Sequence, residues 1–449
     1  MIDLSDKNKK IHFIGIGGVS MSAIAKHLKN SGFTVTGSDI SIQNDSFLSD
    51  LDVKIYNKHD EENVKNCDAV VYTSAISEDN EEYKKAQEME IPLIKRSVLL
   101  GQIISGYKNS IGVCGSHGKT TATAMISHVL IEANKCPTVF LGGLDKKIDN
   151  YIDGKKDFIV AEICEYKKNL LDMPVKSALV LNIDNDHMDC YKDIDQVIET
   201  FREYTKDSIL VINADDKNSQ SLYHASTLTF GINKRAHFMA KKIVFNGLGY
   251  SFTAYAYGKK LGRVNLKVMG YHNVYNALAT IALTSIYNIE FFYQKKALEN
   301  FKGVSRRYEF LGEVNDTEYY ADYAHHPKEI TATMTSFDKE NCLSIFQPHT
   351  YSRTKLLMQD FLDCLIKIKN LMIVDTYSAR ESFDEEGSAK RLYENLIKKG
   401  KKDLCFICDY ESLKLKLDLE NDKFDKVLFL GAGDIYDMAK KYLKESKKK

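Results

Sequence analysis

The sequence has no tryptophan and only 5 prolines in 449 residues, and no Pro-rich or Gly/Ser-rich stretch marks a linker. Domain boundaries must therefore come from the rhythm of the elements. There is no excess of either charge: 62 Lys and Arg balance 62 Asp and Glu. That excludes the basic surplus expected of a nonspecific nucleic-acid binder. No run of about 18 apolar residues occurs, so no transmembrane helix is expected. The polar start MIDLSDKNKK leads straight into a strand-like run, so no signal peptide is expected. The 9 cysteines are odd in number and scattered. They fit free thiols of a reducing, cytoplasmic setting better than a disulfide framework. No internal repeat or low-complexity tract is present, and the length suggests about three domains.

What is present is a repeated strand–helix alternation, which predicts a parallel sheet flanked by helices. In the first third, Ile11–Gly17 reads as a strand ending in glycines and MSAIAKHLKN as a helix. TVTGSD, DAVVYTSA and IPLIKR read as further strands. A second unit starts at NSIGVCG, continues into the helix KTTATAMISHVLIEA, and includes the short apolar runs FIVAEI, SALVLNI and SILVINA. Residues 237–269 differ: Gly-bounded alternating runs predict an antiparallel patch, before HNVYNALATIALTSIY returns to helical spacing. A third unit runs from about Tyr308, with CLSIFQ, NLMIVDTY, DLCFIC and KVLFLGAG as strands and SRTKLLMQDFLDCLI as a helical stretch. The fold class is thus α/β in three domains: Rossmann-like residues 1–106, a P-loop-type ATPase domain 107–305 and an α/β domain 306–449.

Two glycine-rich turns carry chemistry. Gly15, Gly17 and Gly18 follow a strand and open a helix, where a backbone can approach a phosphate. Asp39 ends the next strand, where an acid can take ribose hydroxyls. Ser20 stands at the third glycine of the dinucleotide fingerprint, so a turn needed only for packing is the plain alternative. Gly115-Ser116-His117-Gly118-Lys119-Thr120-Thr121 is more specific. Its N–H groups would cradle phosphates, Lys119 would neutralise β/γ oxygens, and the Thr120 hydroxyl would reach Mg²⁺. Val113 occupies the first glycine position of the common P-loop. Glu162 ends a strand beside this loop, Glu165 follows it, and His187 lies past the next strand. Mg²⁺ takes hard oxygen ligands and needs only one or two carboxylates with phosphates. In the third unit, Asp322-Tyr-Ala-His325-His326-Pro and Gln347-Pro-His349-Thr350-Tyr-Ser-Arg353 each follow a strand and precede a helix. Ordinary capped loops would look the same. Cys405 and Cys408 form a lone pair in an apolar run and read as core, since zinc would need a second pair.

GIGGVSMS, GSHGKTT, NIDNDHMDCY, GYHNVYNAL, SRRYEFLG, DYAHHPKE, FQPHTYSRT and LGAGDI occur in this order from end to end. The chain resembles the Mur ligases, and GIGG with DYAHHP and FQPH…R resembles their alanine-adding branch. The resemblance implies ATP-dependent joining of L-alanine to the carboxylate of UDP-N-acetylmuramate. The first domain would hold the UDP-sugar, the second ATP with Mg²⁺, and the third would dock the amino acid. Partners would be small molecules, with no nucleic acid or membrane, and the oligomeric state is left open. By the same resemblance Gly15, Gly17, Gly18, Asp39, Ser74, Ala75 and Ile76 belong to the UDP pocket, and Gly115 to Thr121 to the ATP loop. Asn273 matches an adenine contact, and Arg307 and Asp322 match residues near the ATP ribose and phosphates. Glu162 and His187 match metal ligands. Arg353 serves the reacting groups. Glu165, His325 and His326 are candidates for taking the ammonium proton.

Four departures stand out. Relatives usually have Gly at Ser20. They often read E-A-D-E-S-D at Glu162-Ile-Cys-Glu165-Tyr-Lys, Arg at Thr350, and Pro-Ala-Gly-Glu at Ser378-Ala-Arg380-Glu381. Arg380 is therefore a candidate for a replacement charge, and Thr350 reads either as a ligand or as a helix cap. Other readings are a ligase for another amino acid, a muropeptide-recycling ligase, a P-loop NTPase switch, and a nicotinamide-dependent dehydrogenase built on the first domain.

Overall fold

The computed structural model describes residues 2–40, 53–185, 190–336, 341–379, 381–420 and 423–446. Three α/β sheets are present. The first contains β1 (Lys10–Ile14), β2 (Thr34–Ser38), β3 (Lys54–Tyr56), β4 (Ala69–Tyr72) and β5 (Leu93–Lys95), all parallel, in the order β3-β2-β1-β4-β5. The order reverses at β1, and the crevice beside such a switch is where ligands bind in open α/β sheets. IPLIKR is only partly strand: β5 ends at Lys95, and Arg96 opens the helix α3 (Arg96–Ser105).

The second sheet has ten strands. It contains β6 (Asn109–Cys114), β7 (Thr138–Asp145), β8 (Asp149–Ile152), β9 (Phe158–Glu162), β10 (Ser177–Val180), β11 (Ile209–Asn213), β12 (Thr227–Gly231), β13 (Phe238–Phe245), β14 (Tyr250–Ala256) and β15 (Lys259–Asn265). The order is β15-β14-β13-β12-β11-β10-β6-β9-β7-β8. The centre is parallel, and β13–β14–β15 is the expected antiparallel patch. The β7–β8 hairpin and β12 had no clear signal in the sequence, because their apolar runs are short and broken by polar residues.

The third sheet contains β16 (Glu309–Val314), β17 (Thr317–Asp322), β18 (Cys342–Phe346), β19 (Asn370–Val374), β20 (Leu404–Ile407) and β21 (Lys426–Leu430), in the order β16-β17-β21-β18-β19-β20. Only β16 is antiparallel to its neighbour. Cys405 lies in β20 and packs half-buried against the core, as its apolar setting predicts, whereas Cys408 is not core: it follows the last residue of β20 and is exposed.

These sheets fall into two compact units, Met1–Lys267 with Asn273–Lys302, and Val268–His272 with Gly303–Lys449. In the first, one helix joins two sheets. α1 (Val19–Asn30) buries Met21 through Ala25 as a run rather than a stripe. One face covers its own sheet; the other meets β7 and β8, where Lys26 Nζ reaches Asp149 (2.7 Å) and Asn150 Nδ2 reaches Ser22 Oγ (2.9 Å). α4 (Lys119–Glu132) is buried from Thr120 to Ser127 because the sheet lies on one side and the helix Phe291–Asn300 on the other. Among the described residues, no helix is long and apolar enough to cross a membrane.

Candidate active site

In the first unit, both glycine turns have the backbone that only glycine adopts easily. Gly15 has φ +80°, and its N–H donates to Ser38 O (2.8 Å), which brings the turn against the end of β2. Gly17 N–H donates to Asp39 Oδ2 (3.0 Å). Ile76 follows β4 and would touch a Cβ at Gly15, so the TSAI segment borders the same turn. The end of β2 is anchored from below by Glu82, which is fully buried. It meets Asn63 Nδ2 (2.6 Å), His59 Nδ1 (3.1 Å) and His12 Nε2 (3.4 Å). Burial would raise the Glu82 carboxyl, but His12, Ser38 and Asn63 outweigh it and hold it below its ordinary range.

At the phosphate loop, Gly115 (φ +126°) and Gly118 (φ +85°) leave no room for a side chain. A Cβ would come within 2.8 Å of Asn182 O at Gly115 and of Asn276 Oδ1 at Gly118. Asn182, at the end of the β10 run, is the loop's clamp. It accepts from His117 N–H (2.8 Å) on Oδ1 and from Ser116 N–H (3.1 Å) on its carbonyl, and its Nδ2 donates to His117 O (3.1 Å). Two loop N–H groups therefore face inward, and the donors that could meet an anion here are those of the first turn of α4. The GYHN helix (His272–Ser285) borders the loop through Asn276, whose Oδ1 faces Gly118 and whose Nδ2 donates to Asn273 Oδ1 (2.9 Å) one turn earlier in the same helix.

Lys119 folds back across its own loop. Its Nζ lies 2.6 Å from Gly115 O and 3.2 Å from each Glu165 carboxylate oxygen. Glu165 is 1% exposed, so this is a buried ion pair. Glu162 ends β9 and accepts from Gly142 N–H (2.9 Å). A Cβ at Gly142 would come within 2.5 Å of the Glu162 carboxylate, so glycine is required for the acid to lie there. Thr120 is buried in the first turn of α4. Cys164 stands between the two acids, and burial pushes its thiol up to about 11. The segment after Glu165 is strained: Lys167 (φ 50°) and Lys168 (φ 58°) are consecutive left-handed residues. It reaches the TSAI segment after β4, where Asn169 Nδ2 donates to Ser74 Oγ (3.3 Å) and Lys167 Nζ to Ser74 O (3.4 Å). His187 lies outside the described residues.

In the second unit, side chains gather at the carboxyl edge of the third sheet. Asp322 ends β17. Its oxygens accept from Tyr308 N–H and Ala324 N–H (both 2.8 Å), so this acid shapes its own loop. Burial raises its pKa against the pull of Arg307, which sits 4.8 Å from the Tyr323 ring. His325 Nδ1 lies 2.9 Å from Tyr323 O, which makes Nδ1 the donor and leaves Nε2 as the acceptor. His326 is buried. Its N–H (3.3 Å) and that of His325 (3.2 Å) donate to Glu329, a capping-box arrangement for the helix Pro327–Ser336. Arg353 Nη1 donates to His349 Nδ1 (3.2 Å). The His349 ring stacks on Tyr377 at 5.6 Å and 21°. Burial, with His325 and Arg353 nearby, pushes His349 down to about 3; burial also lowers His325.

Thr350 precedes the helix Tyr351–Leu356 but makes no side-chain cap, and its backbone stands at φ +68°, ψ 145°. The cap comes from Glu381, which accepts from Ser352 N–H (2.9 Å) and from the Ser352 hydroxyl. The expected long helix breaks at Leu357 into this piece and Met358–Leu365. Arg380 lies outside the described residues. His349, Tyr377, Glu381 and Asn276 were not singled out as site residues from the sequence. The FQPH and GYHN motifs contain or adjoin two of them, whereas a stacked Tyr and a cap supplied 29 residues away leave no local pattern.

Three family signatures match the chain in order: the Mur ligase family, catalytic domain, over residues 10–108; the Mur ligase middle domain over 113–284; and the Mur ligase, glutamate ligase domain over 306–433. The chain belongs to the Mur ligase family. A UDP-N-acetylmuramate–L-alanine ligase of Caldanaerobacter subterraneus is 41% identical to it over 462 residues, covering 100% of both chains. The ligase of the same name from Clostridium beijerinckii is 41% identical over 98% of this chain and 99% of its own. Among solved structures, the UDP-N-acetylmuramate–alanine ligase of Thermotoga maritima superposes with a TM-score of 0.84 at 28% identity, over 98% of this chain and 100% of that one. A murein peptide ligase of Psychrobacter arcticus shares the fold, with a TM-score of 0.74 at 20% identity over 98% and 99%. Mur-type ligation uses ATP, which places the phosphate loop of this chain in its chemical context.

Proposed function

We propose that this Mur ligase joins L-alanine to the lactyl carboxylate of UDP-N-acetylmuramate at the expense of ATP, in the cytoplasm. The supporting observation is the short bridge in the first unit. The segment that carries Glu162 and Glu165 beside the phosphate loop reaches Ser74 of the sugar-nucleotide pocket through Lys167 and Asn169, two and four residues after Glu165. A phosphoryl donor and a carboxylate acceptor would thus meet on one piece of chain. A dehydrogenase has no use for that bridge. We retain the division into 1–106, 107–305 and 306–449 for sugar nucleotide, ATP and amino acid.

A carboxylate is a poor electrophile at neutral pH. Transfer of the γ-phosphoryl of ATP makes an acyl phosphate. The alanine amine then attacks its carbonyl carbon, and phosphate leaves as the amide forms. Gly118 and the first turn of α4 hold the phosphates, and Asn273 lies behind the adenine. On nucleotide binding Lys119 turns from Glu165 to the transferring phosphoryl, where positioning and charge do most of the work. Gly15, Gly17, Gly18 and Asp39, with Ser74, Ala75 and Ile76, hold the UDP group. Glu162, with one oxygen on Gly142, and the Thr120 hydroxyl offer hard donors that suit Mg²⁺ together with phosphate oxygens; His187 would complete the set. When bound, that ion neutralises phosphate charge. Arg353 holds a carboxylate with two parallel bonds, and neutral His325 takes the ammonium proton on Nε2.

The test is incubation with ATP, Mg²⁺, UDP-N-acetylmuramate and single amino acids, followed by product masses. The expected result is one amide product, with alanine, and phosphate release that needs both acceptors. Release without them would indicate an NTPase switch. A product with another amino acid, or with a peptide, would move the chain to another branch.

A further inference from the structure

Arg96 was passed over in the sequence as the last residue of an apparent strand. In the structure it is the first residue of α3, and its Nη1 donates to Ser20 Oγ (2.8 Å) across 76 residues of sequence. Ser20 sits in the first turn of α1, two residues after Gly18. Among the described residues, this hydroxyl is the only hydrogen-bond partner of the guanidinium and no carboxylate lies within ion-pair distance of it. A guanidinium has five donors and no way to shed its charge.

Arg96 is half-buried, so one side of the guanidinium faces the protein and the other stays open to an incoming group. Burial is the main influence on Arg96 and pushes its pKa down. Glu162, whose charge reaches Arg96, is engaged with Gly142 N–H (2.9 Å). A cation at the start of a helix also faces the positive end of the helix dipole. α3 has no freedom to swing the charge away. Ser97 Oγ is tied to Asp172 (2.6 Å), and a Cβ at Gly101 would fall 1.9 Å from Asp172 O. A fold that fixes an uncompensated cation beside a glycine turn is set up to receive an anion.

We infer that Arg96, steadied by Ser20, is a binding residue for the diphosphate of the sugar nucleotide, one that the family motifs did not mark. Ser20 then has a role of its own where relatives usually carry Gly: its hydroxyl aims the guanidinium at the turn. A planar fork binds phosphate oxygens with paired bonds, which Lys cannot reproduce. This inference rests on the functional reading above, because it needs a UDP-sugar in the first unit.

The experiment uses the full chain and four variants of ligand: UDP, UDP-N-acetylmuramate, N-acetylmuramic acid as competitor, and a non-hydrolysable ATP analogue. Wild type that binds neither UDP nor the UDP-sugar would refute the functional reading itself. If it binds them, Arg96→Met should weaken both about tenfold or more, leave the ATP analogue unaffected, and raise the ligand-free melting temperature, because an unpaired charge has been replaced by an apolar chain. Arg96→Lys should keep the melting temperature and still lose about tenfold for UDP. The inference is overturned if Arg96→Lys binds UDP like wild type. It is also overturned if Arg96→Met melts lower while the UDP-induced shift persists, which is the mark of a structural residue. Loss for UDP-N-acetylmuramate and for the free sugar acid without loss for UDP would assign Arg96 to the carboxylate instead, and loss for the ATP analogue would assign it to the other nucleotide; either result overturns the diphosphate assignment.

Discussion

Lys119 and Glu165 hold each other in the ligand-free site, and this changes what a single substitution reports. The Glu165 side chain is 2% exposed and that of Lys119 13%. Lys119→Ala removes the charge that would meet the transferring phosphoryl, which should lower turnover by about 10²-fold or more. It also leaves a buried carboxylate without its cation, which costs about 3–5 kcal/mol in comparable cases. Lys119→Ala should therefore melt at lower temperature than wild type, and the double variant Lys119→Ala/Glu165→Gln should recover the stability but not the activity. Thermal melts and steady-state rates on wild type and the two variants check both halves. Recovery of activity in the double variant would remove Lys119 from catalysis.

The histidines of the second unit give a second prediction at this scale. His349 is held near 3 in the fold against an ordinary 6.5. Between these values the unfolded chain binds a proton that the folded chain refuses, so stability rises with pH across that window and is lost as pH falls below about 6.5. The melting temperature should drop from pH 7.5 to pH 5, and His349→Gln should flatten part of that slope. An unchanged slope in the variant would place the titrating group elsewhere.

At the scale of elements, the motifs were legible where physics acts locally. GSHGKTT reads as a phosphate loop because its glycines, lysine and helix start lie within seven residues of one another. GIGG reads as a turn for the same reason. What escaped notice acts across the chain: Asn182 clamping Ser116 and His117, Arg96 reaching Ser20, and Glu381 capping a helix that begins at Tyr351. The choice for Thr350 between ligand and cap was framed on side chains, whereas the structure turns on its backbone. A β-branched residue at φ +68° and ψ 145° occupies ground that is essentially glycine's, at a penalty of order 1–3 kcal/mol. Thr350→Gly should relieve it and raise the melting temperature, since the helix bonds to Thr350 come from its carbonyl and survive the change. A lower melting temperature would show that the hydroxyl contact to Ser352 outweighs the strain.

For the whole molecule, the alternation of strands and helices disclosed three sheets, but not how they group. α1 is the reason. An amphipathic stripe would leave one face to solvent, yet MSAIA is buried throughout because β7 and β8 cover the side away from its own sheet. The first two sheets thus share one compact unit and should unfold together, and the third stands in the other. Calorimetry should resolve two transitions, with a non-hydrolysable ATP analogue and Mg²⁺ raising the one that belongs to the first unit. A single transition that moves as a whole would contradict this grouping.

The ten-stranded sheet of that first unit ends at β15, where Glu299 accepts from Asn265 N–H (3.0 Å) at the far end of the strand and Lys259, Lys260 and Arg263 are exposed along the rest. An open strand edge is a template for a stray strand from another molecule, and like charges along it oppose such an encounter. The protection is electrostatic, so it is conditional. At about 1 M ionic strength the screening length falls to about 3 Å, and chains refolding together in concentrated salt lose the guard on this edge while their sheets are still incomplete.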